Sequence, residues 1–184
     1  MKKLKTTELK RPSIGDYKLR SKLPVVIIMD NIRSMHNVGS IFRTSDAFLI
    51  EKIILCGITP QPPHRDIQKT ALGATESVFW EYSKDIYQTI LNLKEDNYHI
   101  VGLEQADKQI QIEDFIPNQN IKYAIILGNE VSGISDNIMN LLDLCVEIPQ
   151  EGTKHSLNVS VAAGIMIYHV YQHLKKKAFT KEGL

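Results

Sequence analysis

Ile148-Pro149-Gln150-Glu151-Gly152-Thr153-Lys154-His155-Ser156-Leu157-Asn158-Val159-Ser160 links two apolar stretches through a polar, Gly-containing loop. The run that ends in it, Leu144-Cys145-Val146-Glu147-Ile148, is short and largely β-branched or apolar, as a buried strand requires. The stretch that follows, from Asn158 to about Lys177, is long and apolar before it turns basic, which predicts a helix packed against a core. Strand, loop and helix in immediate succession are the repeating unit of α/β folds. A loop of this kind can offer backbone N–H groups, carbonyls and small polar side chains to a ligand at close range.

The same alternation runs outward through the chain. Pro24–Met29, Lys52–Cys56, Ser77–Trp80, His99–Leu103 and Tyr123–Leu127 are further short apolar runs that read as strands. Between them, Asn37–Phe48 and Asp85–Leu93 place apolar residues at helical spacing, and Asp136–Leu142 reads as a short helix. The sequence therefore predicts a single α/β domain with a mostly parallel sheet flanked by helices. The Pro-rich stretch Gly57–His64 is expected at strand ends, where ligands bind in such sheets.

A chain of 184 residues with 43% hydrophobic and 23% charged content suits one soluble domain with a sizeable core. The expected division is a basic extension over 1–22, the domain over 23–177 and a tail over 178–184. The basic start leads into no apolar h-region, no run approaches the roughly 20 residues that span a bilayer, and a cytoplasmic location is expected. Cys56 and Cys145 sit in apolar runs and read as buried free thiols, and no metal is expected. No G-x-G-x-x-G follows the first strand and no P-loop pattern occurs, which argues against a dinucleotide or NTPase site. The net charge of +1 divides unevenly: residues 1–22 carry eight Lys or Arg against Glu8 and Asp16, or +6, which leaves −5 for the rest. Basic ends on a mildly acidic body suit either contact with a polyanion or a merely solvated terminus.

Three polar segments stand out, and each has an ordinary explanation alone. Asn37 can cap the helix after it, with Arg43 paired to Asp46. Gly128-Asn129-Glu130 can be a strand exit, with Gly133 allowing a turn. Ser156, Asn158 and Ser160 can all be N-cap chemistry. Their joint order and spacing are harder to explain that way. Asn37, Gly39 and Arg43 match N-x-G-x-x-x-R; Leu127, Gly128, Glu130 and Gly133 match L-G-x-E-x-x-G; Ile148 through Ser160 matches I-P-x-x-G-x-x-x-S-L-N-V-S. With Lys69-Thr70-Ala71-Leu72-Gly73-Ala74 between them, the chain from about Val25 to Leu174 resembles the SpoU (TrmH-like) family of RNA 2′-O-ribose methyltransferases, of the SPOUT class. Gln150 departs from the Met found in many members.

The resemblance implies a deep trefoil knot near the C-terminus, an exception to ordinary connection rules. It implies S-adenosylmethionine as cofactor, bound by Leu103, Glu104, Leu127, Gly128, Ile148 and Leu157, with Gly128 letting the backbone approach the ligand. It implies Arg43, Asn37, Glu130, Ser156 and Asn158 as the catalytic set and RNA, either tRNA or rRNA, as partner. Arg43 is either a general base or a clamp on an RNA phosphate; a guanidinium with a pKa above about 12 favours the clamp. Asn37 is expected to orient Arg43 or the ribose, and Glu130 to hold Asn37, Arg43 or the hydroxyl. Relatives of this class are homodimers, and Val159, Val161, Ala162, Ile165, Met166, Tyr168, Val170 and Leu174 make the last helix too apolar around its circumference to stand free in water, so that it either faces a twin in part or is a core helix buried within a monomer. The rival reading is a non-catalytic RNA-binding or assembly protein that keeps the fold.

Overall fold

A computed structural model describes residues 1–175, so the basic residues Lys176, Lys177 and Lys181 and the expected tail over 178–184 lie outside the described part. A helix α1 (Ile14–Leu19) leads into β1 (Leu23–Asp30), followed by α2 (Met35–Ala47) and β2 (Ile50–Cys56). Next come α3 (Arg65–Ala71), α4 (Ala74–Ser77), β3 (Phe79–Ser83), α5 (Ile86–Glu95) and β4 (Tyr98–Leu103). The chain continues through β5 (Ile110–Gln111), β6 (Lys122–Leu127), β7 (Leu144–Glu147) and α6 (Val159–Lys175), with a 3-10 helix over Asp136–Leu141. Among the described residues, seven strands form one sheet in the order β3-β2-β1-β6-β4-β7-β5, and every pairing is parallel. The trefoil knot expected near the C-terminus is consistent with this order.

Both faces of the sheet are covered, which is why its central strands are apolar at every position rather than at alternate ones. Val25, Ile27 and Met29 of β1 pack with Ile125 of β6 against Val38, Ile41 and Phe42 of α2 and Met166, Ile167 and Val170 of α6. Val26 and Ile28 point the other way and meet Ile90 and Leu93 of α5 and Ile138 of the 3-10 helix. Each such side chain, when fully buried, contributes about 1.5–3 kcal/mol. The two thiols are buried as expected, and burial, the largest influence on each, pushes them up to about 12 at Cys56 and about 11 at Cys145. Among the described residues, no helix is long and apolar enough to cross a membrane.

Three differences from the sequence expectation have local causes. The run Ser77–Trp80 is not one strand: Gly73, at φ 89°, starts the single turn α4, Ser77 closes that turn, and β3 begins at Phe79. α3, which the sequence reading does not predict, overlaps the element Lys69–Ala74; His64 caps it through Nδ1, and Ile67 and Ala71 bury one face. α1 has a sequence signature that marks it, because Ser13 and Asp16 form a reciprocal capping box. That helix buries Tyr17 and packs on α4, so part of the basic extension is docked on the domain.

The crossing of α2 and α3 depends on Gly39. A Cβ there would stand 2.1 Å from Thr70 Oγ1 and 2.3 Å from the Ile67 carbonyl oxygen. Ala normally stabilises a helix interior relative to Gly by roughly 0.5–1 kcal/mol, but here overpacking of about 1–3 kcal/mol dominates. Gly39→Ala is therefore expected to lower the melting temperature by several degrees in a thermal scan; an unchanged or raised value would contradict this packing.

Candidate functional site

The parallel strands all end along one edge of the sheet, where the ends of β4, β6 and β7 border a concave surface. Leu103 at the end of β4 is in register with Leu127 of β6 and Val146 of β7, so three apolar side chains stand abreast. They floor a cavity of about 350 Å³, within the ordinary range for small-molecule sites. Glu104, Gly128, Glu130, Ile148, Ser156, Leu157 and Asn158 line it too. All six residues expected to hold the cofactor are thus gathered around one space. Among the described residues, Glu104, Glu130 and Glu147 line the cavity and no Lys or Arg does. The setting favours a ligand that joins an apolar, flat group to net positive charge, since opposite charges attract and a cation would meet no like neighbour.

The glycines of this edge serve the protein's own packing. A Cβ on Gly128 would lie 2.3 Å from the backbone of Gly133 and Ile134, so it is the loop folded over it, rather than a ligand, that excludes a side chain. Gly133 adopts φ 69° and leaves room for Glu104 Oε2, which accepts from the Ile134 N–H at 2.9 Å. The sequence reading has Gly128 admit a ligand; its close neighbour in the structure is the Gly133 loop.

Beside the cavity, one chain of hydrogen bonds joins all three motif segments. Glu130 accepts from the backbone N–H of Arg33 at 2.9 Å and of Ser34 at 3.0 Å, and from Asn37 Nδ2 at 2.9 Å. Asn37 Oδ1 accepts from Asn158 Nδ2 at 3.1 Å. Asn158 Oδ1 in turn accepts from Ser160 N at 2.9 Å and Ser160 Oγ at 2.6 Å, at the entry to α6. An ionised carboxylate only accepts, so it fixes the direction of both amides along the chain. The helix N-terminus that Glu130 satisfies is that of α2, not the helix after Gly133. Asn37 is committed to Glu130 and Asn158 and makes no bond to Arg43.

Arg43 is not part of this cluster. It lies exposed on α2, two turns beyond His36, and does not line the cavity. Ser156 lines the cavity from the exposed loop without a place in the hydrogen-bond chain. Val146 and Ala162, outside the motif segments, line the same space; the apolar spacing of β7 and α6 was their only signal. His64 caps α3 and has no contact with the cluster.

Burial, the largest influence on Glu130, pushes its pKa up, but the N–H groups of Arg33, Asn37 and Ser34 and its own backbone N–H outweigh it and hold the carboxyl below its ordinary value. The folded state therefore binds fewer protons than the unfolded chain, and the stabilisation is present above the unfolded carboxylate value and lost as pH falls through the folded one.

The chain matches the model of the SpoU rRNA methylase family over residues 24–168. A TrmH-family relative of Staphylococcus haemolyticus is 33% identical over 159 residues, 86% of this chain and 63% of that protein. Another, of Staphylococcus saprophyticus, is 30% identical with the same coverage, so the chain spans 63% of the length of these relatives. Among solved structures, the TrmH/SpoU tRNA modifying enzyme of A. aeolicus superposes with a TM-score of 0.79 at 24% identity, covering 90% of this chain and 84% of that one. The AdoMet-bound rRNA methyltransferase of Sinorhizobium meliloti does so with a TM-score of 0.76 at 24% identity, covering 84% of this chain and 61% of that one.

Glu130→Gln replaces an acceptor by a group that presents N–H to N–H. The variant is expected to melt a few degrees below the parent near pH 7, and the gap should close as pH falls below the ordinary carboxylate value and on through the lower value of the folded protein. A gap that is constant with pH would show that the charge is immaterial.

Proposed function

The chain belongs to the SpoU rRNA methylase family, and from that premise we propose that it is an S-adenosylmethionine-dependent RNA methyltransferase acting on a ribose 2′-hydroxyl. The observation that carries this reading is the Glu130–Asn37–Asn158 chain standing on the rim of an apolar, acid-lined cavity. The residues present suit the cofactor. Leu103, Leu127, Val146 and Ile148 offer apolar walls to an adenine, and the glutamates suit a ligand that carries a sulfonium and an ammonium group. When bound, S-adenosylmethionine supplies an electrophilic methyl group.

Methyl transfer needs in-line geometry at the acceptor oxygen, and positioning can supply roughly 7–11 kcal/mol of the acceleration. The work of this chain is then to bind and orient. Glu130, kept ionised and held by three donors of the α2 entry, is a weak base and acts by fixing Asn37. Asn37 and Asn158 hold α2 against the loop that carries Ser156 and Leu157. Arg43 takes an RNA phosphate in a bidentate clamp, placing the ribose. As the new O–C bond forms, the methyl–sulfur bond breaks and leaves a neutral thioether, while the hydroxyl proton passes to water or to a phosphate oxygen.

The exposed place of Arg43 accords with a homodimer in which it serves the partner's cavity. α6 buries Met166, Ile167 and Val170 against the sheet but leaves Val161, Ile165 and Tyr168 exposed on one face. Gly164 lies among them with nothing within 4 Å of where a Cβ would stand. A second copy covering this stripe would remove apolar surface from water. The tRNA modifying enzyme and the rRNA methyltransferase that share the fold leave the RNA class to experiment.

Labelled S-adenosylmethionine, offered with separate tRNA and rRNA pools from methylation-deficient cells, should place label on a ribose 2′-oxygen in one pool. Label on a base, or binding of RNA without transfer, would overturn the reading. Arg43→Ala is expected to reduce transfer roughly 100-fold or more while leaving cofactor affinity intact. Leu103→Arg puts a cation into the cavity and should abolish cofactor binding. If Arg43 acts across the dimer, mixing these two inactive variants should recover activity; no recovery would confine Arg43 to its own subunit.

A further inference from the structure

Next to the α2 entry, the loop after β2 presents an apolar side chain to solvent while being tied down on every side. The Ile58 N–H donates to Asn31 Oδ1 at 3.1 Å, and the Gly57 N–H donates to the Ser83 carbonyl oxygen at 3.1 Å. Thr59, buried, donates through Oγ1 to the Met29 carbonyl oxygen at 3.0 Å and accepts the Ile32 N–H at 3.1 Å. Asn31 itself, at φ 53°, is fixed by Asp30 Oδ1 at 2.7 Å, and its carbonyl accepts from Asn129 Nδ2 at 2.6 Å. Three strand ends are therefore locked together around Asn31. Ile58 nonetheless remains 66% exposed, and Tyr82, whose hydroxyl donates to the Gly57 carbonyl oxygen at 3.0 Å, remains 40% exposed beside it.

Exposed charge of both signs surrounds this ledge. The Ile32 N–H bond to Thr59 Oγ1 brings the segment leading into Arg33 against the segment that follows Ile58; Arg33 and Arg65 are exposed and form no ion pair among the described residues, and Asp85 stands exposed just after β3 on the Tyr82 side. The neighbouring acid, Asp66, is paired with Lys69 at 2.6 Å. The ledge is continuous with the reaction site, since the Arg33 N–H rests on Glu130. Isolated exposed apolar residues are common, but a rigid isoleucine and tyrosine flanked by unpaired guanidinium groups offer a flat apolar contact and two anion contacts at once. Unpaired nucleobases stack on such side chains, and phosphates meet guanidinium groups.

We propose that Ile58 and Tyr82, with Arg33 and Arg65, form a ledge that holds a splayed base and the phosphates of the RNA strand flanking the acceptor nucleotide. This rests on the RNA methyltransferase reading and adds to it the residues that grip the strand outside the cofactor cavity.

The test uses the full-length protein and whichever RNA pool it methylates. Ile58→Ala and Tyr82→Ala should each raise the KM for RNA roughly 10-fold, with kcat and cofactor affinity little changed, while Tyr82→Phe keeps the ring and stays near the parent. Arg33→Gln and Arg65→Gln should each flatten the salt dependence of RNA binding by roughly one unit of slope. Parental KM and salt slopes in these variants, in a protein that does methylate RNA, would overturn the ledge alone. A change of oligomeric mass in Ile58→Ala at parental RNA affinity would make this a protein contact and likewise overturn it. Absence of RNA methylation by the parent would instead overturn the reading on which the ledge stands.

Discussion

One side-chain amide, that of Asn37, connects the loop after β6 with the entry to α6. Its two ends are not interchangeable: the ionised Glu130 demands a donor, which leaves Oδ1 to receive Asn158. Because Glu130 also takes the N–H groups of Arg33 and Ser34, the same carboxylate satisfies the first turn of α2. The helix that carries Arg43 is thereby set relative to the cavity floor. The geometry of the site is thus a consequence of one acceptor-only group meeting several donors, and it holds only while that group is charged.

The strand ends carry the rest. In a parallel sheet the C-terminal ends face one way, so the loops after β1, β2, β4, β6 and β7 collect along one edge. Their mutual spacing is kept by close backbone contacts that only glycine allows. Gly39 lets α2 touch α3, and Gly128 lets the chain fold back as Gly133. Both residues sit in motifs that suggest ligand contact, yet what excludes a Cβ at each is protein. A shared pattern can therefore mark a site by marking the packing that builds it.

Charge is divided in space as it is along the chain. The net +1 conceals +6 in residues 1–22 and −5 elsewhere. Among the described residues, glutamates line the cavity, whereas Arg33, Arg43 and Arg65 stand exposed outside it. A cationic cofactor and an anionic strand would each find the opposite sign, and neither would have to pass the other's partner. Tyr17, buried against the domain, keeps part of the basic extension on this body rather than apart from it.

The sequence by itself determined the α/β class, the sheet's central strands and the membership of the site. Apolar runs on β1 and β6 are continuous because both faces of those strands are buried, and that pattern is local. Of the six residues expected to hold the cofactor, Leu127, Gly128, Ile148 and Leu157 lie in motif segments and Leu103 and Glu104 at the end of β4, and all six line the cavity. What pairs with what was not local. That Asn37 would meet Asn158, 121 positions away, rather than Arg43 on its own helix, follows from how α6 returns beside α2. Likewise, Ser77 reads as a strand residue by composition and becomes the end of a helical turn because Gly73 reverses the chain before it. Only the tertiary structure decided that Arg43 faces solvent, because a helix presents one face to the core, and which face is decided by the elements packed against it.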